Sequence, residues 1–395
     1  MSRGLGKSWS ERDVYAAAVD RFRLIYKRFD TVAVSFSGGK DSTVCLHLAL
    51  EAAAEAGKLP IDAYFWDEEA IHPETIEYVE RVRQRPDVKL RWYCLPVKHR
   101  NACSRRSPYW YCWDPAQRDL WVRPLPGCAI TEAPWFKMGM TVPDCSPYVY
   151  GRDCGTVCDI RGIRADESLR RLMSVMGRLE ENWLGGARDG HSYPASPIYD
   201  WTVADVWAAP KRFGWDYNRA YDLFYRAGVL PNDQRVCPPF GEEPLESLWR
   251  YAVCWPDLWH KMIRRVPGAA TAGRYAVTEL YGYGAQRLPD GVKSWREWSY
   301  RLLALFDSPY REVIAGSVKG MIAMHKNKTN RPIPDSDSDP MSGLSWKFIA
   351  NIVNRGDLKN RRRGKLNDYG CQAQRRLKMT FAEVEAMERD LETRY

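Results

Sequence analysis

The stretch from Thr31 to Gly57 constrains this 395-residue chain more than any other. A β-branched run, Thr31–Val34, breaks at a serine–glycine turn, and a helical pattern from Asp41 to Ala56 follows, ended by Gly57. That order predicts a strand, a tight loop and a helix. Glycines stand where a backbone must approach something small. The helix start adds unpaired N–H groups and the positive end of a dipole, and Lys40 adds a full charge. Together these parts make a cradle for pyrophosphate. It is not the common nucleotide loop, because Asp41 separates Lys40 from Ser42 and no glycine precedes Gly39 at the required distance.

The surrounding pattern predicts where that cradle sits. Val14, Ala18, Phe22 and Ile25 recur at helical spacing within residues 9–30. Ile61–Trp66 reads as a second strand that stops at Asp67-Glu68-Glu69, a helix follows from Pro73 to Arg85, and Leu90–Leu95 reads as a third strand. Strands alternating with helices at this spacing predict a parallel sheet with right-handed crossovers, whose ligands lie at the carboxyl ends of the strands. The phosphate loop and the acidic turn at 67–69 both fall there. Residues 96–155, rich in Pro, Trp, Tyr and Cys, read as an insertion over that edge. Val157–Ile160 is a further strand, a helix covers 166–181, and Asp200–Trp207 is a capped helix start. From 218 onward the pattern is mostly helical, with polar loops at 284–292 and 327–343 and a last helix at 380–394. The expected division is a nucleotide-binding domain over 1–215 and a helical extension over 216–395.

Three segments together resemble the phosphoadenosine phosphosulfate (PAPS) reductase family of PP-loop ATP pyrophosphatases. They are Ser35–Ser42, Trp66-Asp67-Glu68-Glu69 with Pro73-Glu74-Thr75, and Gly162-Ile163-Arg164-Ala165-Asp166-Glu167-Ser168 with Arg170-Arg171. Ser196–Trp201 followed by Asp205-Val206-Trp207 is similar to that family's closing motif, and 211–365 resembles the extension of a subgroup labelled phosphosulfate sulfotransferases or immunoglobulin-binding regulators. The resemblance implies an α/β fold with a doubly wound, mainly parallel sheet and an adenine nucleotide, ATP or PAPS, lying across the strand ends with Mg2+. It implies that Ser35, Ser37, Gly38, Gly39, Lys40, Asp41 and Ser42 hold phosphates and that Asp67 approaches the nucleoside. Gly162, Arg164, Arg170 and Arg171 would line the phosphate side, with Lys40, Asp41 and Arg164 as the catalytic set and Asp166 and Glu167 holding arginines or magnesium. One departure matters: the Glu-Cys-Gly-Leu-His segment of true reductases is missing, and the late Cys371 stands in Tyr-Gly-Cys-Gln.

The remaining chemistry is less specific. Eleven cysteines in a chain this long are too sparse for a disulfide scaffold, so they read as thiols, ligands or catalysts of a cytoplasmic protein. Cys128, Cys145, Cys154 and Cys158 are either a tetrathiolate zinc or iron–sulfur site or separate packing residues. No apolar run is long enough to span a bilayer, and no signal segment is visible at the N-terminus. A net charge of +9 suits an anionic partner. Lys359–Lys365 with Arg375, Arg376 and Lys378 could track a nucleic-acid backbone through 359–378, or be a solvated turn. The expected function is adenylation of an acceptor or transfer of a sulfur group, with a nucleic acid or a partner protein as candidate companions. The rivals are sulfonucleotide reduction and a nucleotide-sensing DNA-binding regulator.

Overall fold

The computed structural model describes residues 11–104, 106–175, 182–187, 190–241, 245, 248–275, 288–306 and 310–355. The chain divides into two compact units. The first is Met1–His99, Tyr111–Pro238 and Val253–Arg265, and the second is Arg100–Trp110, Pro239–Ala252 and Val266–Tyr395.

The first unit is built on a parallel sheet. Its strands are β1 (Thr31–Ser35), β2 (Ile61–Trp66), β3 (Val88–Tyr93), β6 (Val157–Ile160) and β7 (Ser192–Ala195), in the order β3-β2-β1-β6-β7. The strand order reverses at β1, so the segments leaving β1 and β6 diverge and open a crevice at their carboxyl ends. A short ribbon of β4 (Lys98–Arg100) and β5 (Tyr109–Tyr111) lies between β3 and β6 in sequence. Every residue of β6 is buried, as a strand covered on both faces requires.

Helices α1 (Val14–Arg28), α2 (Lys40–Glu55) and α3 (Pro73–Arg83) follow the predicted pattern closely. Asp13 caps α1 by accepting from Ala16 N–H, and Lys27 and Arg28 stand in its last turn, where they oppose the helix dipole. Pro73 opens α3 at the position where a missing N–H costs nothing. The insertion adds the one-turn helix α4 (Val142–Cys145), and α5 (Leu169–Val175) follows the turn after β6. Thr202 and Asp205 form a reciprocal capping box on α6 (Val203–Phe213), which stops at Gly214 in the left-handed conformation that glycine adopts freely. Then come α7 (Ala220–Arg226) and α9 (Pro256–Arg265), while α8 (Trp249–Cys254) begins in the second unit and ends in the first.

The second unit is helical where it is described: α10 (Ala269–Tyr275), α11 (Trp295–Ala304), α12 (Tyr310–Lys326) and α13 (Trp346–Arg355). Trp295, Leu302, Phe306, Ile314, Met321, Leu344 and Ile349 form its apolar core. The aspartate-rich loop before α13 is put to use. Asp335 accepts from the N–H groups of Trp295 and Arg296 at the start of α11, and buried Asp339 accepts from those of Met341 and Ser342. No described helix is long and apolar enough to cross a membrane. The expected helix at 380–394, the basic segment 359–378, Cys371 and the end of the 166–181 helix lie outside the described residues.

Candidate functional site

Ser35 ends β1, and the chain turns through Gly38 with φ +69° into α2. A side chain at Gly38 would be strained by that angle and would press on Thr75 and Val79 of α3. The loop is tied to itself by its serines. Ser37 N–H donates to Ser42 Oγ at 3.2 Å, Gly39 N–H donates to Ser37 Oγ at 3.3 Å, and the Ser42 hydroxyl donates to Gly39 O at 2.9 Å. Ser35 instead hydrogen-bonds the buried Tyr64 hydroxyl, which burial holds protonated.

Charge gathers at the same turn. Asp41 Oδ1 accepts from Arg164 Nε at 2.5 Å, and its other oxygen lies 3.6 Å from Lys40 Nζ. Arg164 is 4% exposed, donates from Nη1 to Trp201 O, and lies 3.9 Å from Asp166, while its own N–H is held by Glu167. The approach of that arginine depends on Gly162: a Cβ there would meet the Asp41 carbonyl carbon at 2.7 Å and Ser42 N at 2.8 Å. Gly162 thus works by letting the turn after β6 close on the first turn of α2. The closing motif works from the other side. Asp200 takes two hydrogen bonds from Arg21 of α1, and Tyr199 O accepts from Ala165 N–H.

Residues that no motif marks complete the loop's surroundings. Lys40 N–H donates to the Tyr221 hydroxyl at 2.9 Å, and Lys40 Nζ donates to Gln234 O at 3.1 Å. Asn218 Nδ2 bridges Gly38 O and Thr75 Oγ1, and Val236 lies close over Gly39. The described state is therefore a closed one, with the cationic side chain and the first helical N–H both matched by protein acceptors. Burial pushes the Tyr221 hydroxyl well up, so it stays protonated. These contacts link the loop to positions about 180 residues away with no motif of their own.

Other expected site residues take different places. Asp67, at the end of β2, is fully buried and its carboxylate is occupied by Trp92 Nε1 at 2.8 Å, by Glu69 N–H and by Arg123. Glu69 beside it, at φ +62°, is clamped by Arg265 from two nitrogens at 2.9 and 3.1 Å and by the N–H groups of Trp113 and Val122. This turn is an anchor for the insertion. Arg171 sits at the surface, 3.5 Å from Glu167, and the Arg170 side chain lies outside the described residues.

The expected tetrathiolate set is corrected by the structure. Cys158 is buried inside β6 and Cys145 at the end of α4, while Cys128 in a turn and Cys154 at the end of a single 3-10 turn are partly exposed. Among the described residues no group of three or more His, Cys, Asp or Glu is placed to hold a metal ion. Burial raises the Cys145 thiol to about 12 and pushes Cys158 up as well, as for packing thiols rather than ligands. Of the carboxylates offered to arginines or magnesium, Asp166 lies 3.9 Å from Arg164, and Glu167 accepts from the Arg164 N–H and lies 3.5 Å from Arg171.

Comparison with known proteins agrees with this geometry. Residues 31–118 match the phosphoadenosine phosphosulfate reductase domain, and 228–331 match a domain of unknown function, DUF3440. The uncharacterized protein YbdN of Escherichia coli (strain K12) is 34% identical over 385 residues, covering 91% of this chain and 90% of YbdN. Among solved structures, the PAPS reductase of Candida auris aligns at 13% identity and TM-score 0.31, over 55% of this chain and 94% of the other. The FMN adenylyltransferase of Candida glabrata aligns at 13% and 0.34, over 54% and 62%. At 34% identity over nearly its whole length the chain belongs to the same family as YbdN, and its residues 31–118 carry a phosphoadenosine phosphosulfate reductase domain.

Proposed function

We propose that the first unit binds an adenine nucleotide, ATP or a related adenylate, with its phosphates on Ser37–Ser42, and activates an acceptor by adenylation or transfers a sulfur group. The observation that carries this reading is the convergence of Lys40, Arg164 and the α2 N-terminus on one glycine turn at the carboxyl edge of a parallel sheet. The matched domain model is named for a reductase of a sulfonucleotide, which supports this reading.

In this account catalysis comes from positioning and charge neutralisation. A phosphate oxygen would replace Gln234 O as the acceptor of Lys40, since a charged acceptor makes the stronger hydrogen bond. Asp41 keeps Arg164 and Lys40 oriented, and Arg164 opposes the negative charge that develops on the departing group. Sulfonucleotide reduction remains the second reading because of the matched domain, and it requires a thiol that the loop itself does not supply. Offering ATP and 3′-phosphoadenylyl sulfate to the purified protein separates them. Pyrophosphate released from ATP and lost in Lys40→Ala supports adenylation. Sulfite released with a thiol donor supports reduction, and nucleotide binding without product supports the sensor.

A further inference from the structure

After α7 the chain turns at Gly228, where φ is +74°, and passes one short 3-10 turn, Pro231–Asp233, to reach Pro238-Pro239. Of the residues Leu230–Pro238 only Gln234 is buried, at 3% exposed. A surface segment ordinarily holds itself down by burying apolar side chains. This one buries an amide that is tied at both ends. Its side-chain Nε2 donates to Val229 O at 2.9 Å, which closes the segment on itself, and its backbone carbonyl accepts from Lys40 Nζ at 3.1 Å. Two residues on, Val236 covers the loop glycine. A Cβ at Gly39 would stand 3.3 Å from Val236 Cγ2 and 3.5 Å from the Tyr221 hydroxyl. The segment lies across the phosphate loop as a strap, with one polar contact and one apolar one.

The polar contact has the chemistry of a substitute ligand. Lys40 is 8% exposed, and a buried ammonium is costly unless acceptors meet it. The Tyr221 ring faces it from 5.6 Å, and Asp41 Oδ2, on a carboxylate shared with Arg164, lies 3.6 Å away. The strap therefore supplies the ammonium's hydrogen bond. A carbonyl in that position stands where a phosphate oxygen on the same loop would stand. Glycine at position 39 leaves room for an oxygen to come close, and Val236 fills that room.

We propose that Leu230–Pro238 is a gate: in the unliganded protein its Gln234 carbonyl holds the place of a phosphate oxygen on Lys40, and a phosphate-bearing ligand enters by displacing the strap. The proposal rests on the reading of Ser37–Ser42 as the phosphate cradle. It gives a task to the start of the segment that matches a domain of unknown function, residues 228–331. A neutral ligand offers Lys40 no more than the carbonyl it already has, whereas a phosphate makes the stronger, charge-assisted bond. The gate thus selects anions. Measured affinity is the intrinsic affinity reduced by the fraction of molecules whose strap is open. Loosening the strap must then raise affinity, which is the opposite sign to losing a ligand contact.

The test uses inorganic pyrophosphate and the full chain, read by calorimetry and by amide hydrogen exchange. Gln234→Ala cuts the tie to Val229, and Val236→Ala trims the cover over Gly39; neither removes an atom of the loop. Each should raise pyrophosphate affinity by about three- to tenfold, while Lys40→Ala should abolish binding. In wild type, pyrophosphate should speed exchange in residues 230–238 and slow it in residues 38–42. Lys40-dependent binding that both strap variants weaken or leave unchanged, with exchange in 230–238 slowed or unaltered, overturns the gate and leaves the loop reading standing. Binding that survives Lys40→Ala, or no binding at millimolar concentration to wild type and both strap variants, overturns the loop reading and the gate with it.

Discussion

Two turns leave neighbouring strands of the same sheet at the same edge, and they are built on opposite principles. The phosphate loop after β1 is shaped by displaceable contacts, serine hydroxyls, the Tyr221 hydroxyl and the Gln234 carbonyl that takes Lys40, with the Asp41–Arg164 ion pair set on the first turn of α2. Each displaceable contact is worth about 1 kcal/mol net and can be replaced by a better acceptor. The acidic turn after β2 is locked by buried charge, with Asp67 against Arg123 and Glu69 against Arg265. Breaking such a pair costs far more than making it returned. Polar residues at a strand end therefore mark a ligand site only where their partners are ones a ligand can displace.

The largest expected effect falls on the second turn. Glu69→Gln leaves Arg265, whose side chain is 2% exposed, without its counter-charge, and should destabilise the first unit by about 3–5 kcal/mol in urea unfolding. Asp67 matches a nucleoside-contacting position in the family pattern, but its carboxylate faces Trp92 and Arg123. A Glu69→Gln protein of wild-type stability would mean that the two turns do not differ as described.

Acid sharpens the comparison on the loop side. His47 lies in α2, stacked on Trp215 with centroids 4.7 Å apart, and burial lowers its pKa to about 4. The folded value lies below the unfolded one near 6.5, so the unfolded chain takes up the proton first. Stability contributed by the neutral ring is full above about pH 6.5 and is lost as pH falls toward 4, by up to about 3 kcal/mol. His72, also lowered by burial, to about 3, adds to the loss in the same direction. Unfolding free energies measured at pH 7 and pH 5 should show this loss, and His47→Gln should reduce it.

How much of this was legible in the sequence depends on how local the cause was. The strand, loop and helix at 31–55, the strands at 61–66 and 157–160 and the helix at 73–83 were legible because period, glycine turns and a first-turn proline act within a few residues. β7 was not foreseen, since Ser192–Ala195 is short and contains Pro194. Within the site, Lys40, Asp41 and Arg164, which the resemblance groups, do meet at one turn. Tyr221 and Gln234 were not legible, because tertiary folding alone brings them to the loop. Asp67 shows the converse: its position could be read, but its burial could not.

Smaller effects test the loop's contacts. Tyr221→Phe frees the Lys40 N–H and should lower stability by about 1 kcal/mol while raising nucleotide affinity by up to about fivefold. Weaker nucleotide binding in that variant would make Tyr221 a ligand contact. The smallest effect belongs to Arg171→Ala. Its exposed pair with Glu167 should contribute within about 0.5 kcal/mol, and nucleotide affinity should not change.

The most direct test of the central claim is calorimetric titration of ATP into wild type and Lys40→Ala under identical salt conditions. The account predicts saturable binding to wild type and at least a tenfold loss in the variant, with the fold intact by circular dichroism. Equal affinity for the two proteins, or no binding to either, would contradict the assignment of Ser37–Ser42 as the phosphate cradle.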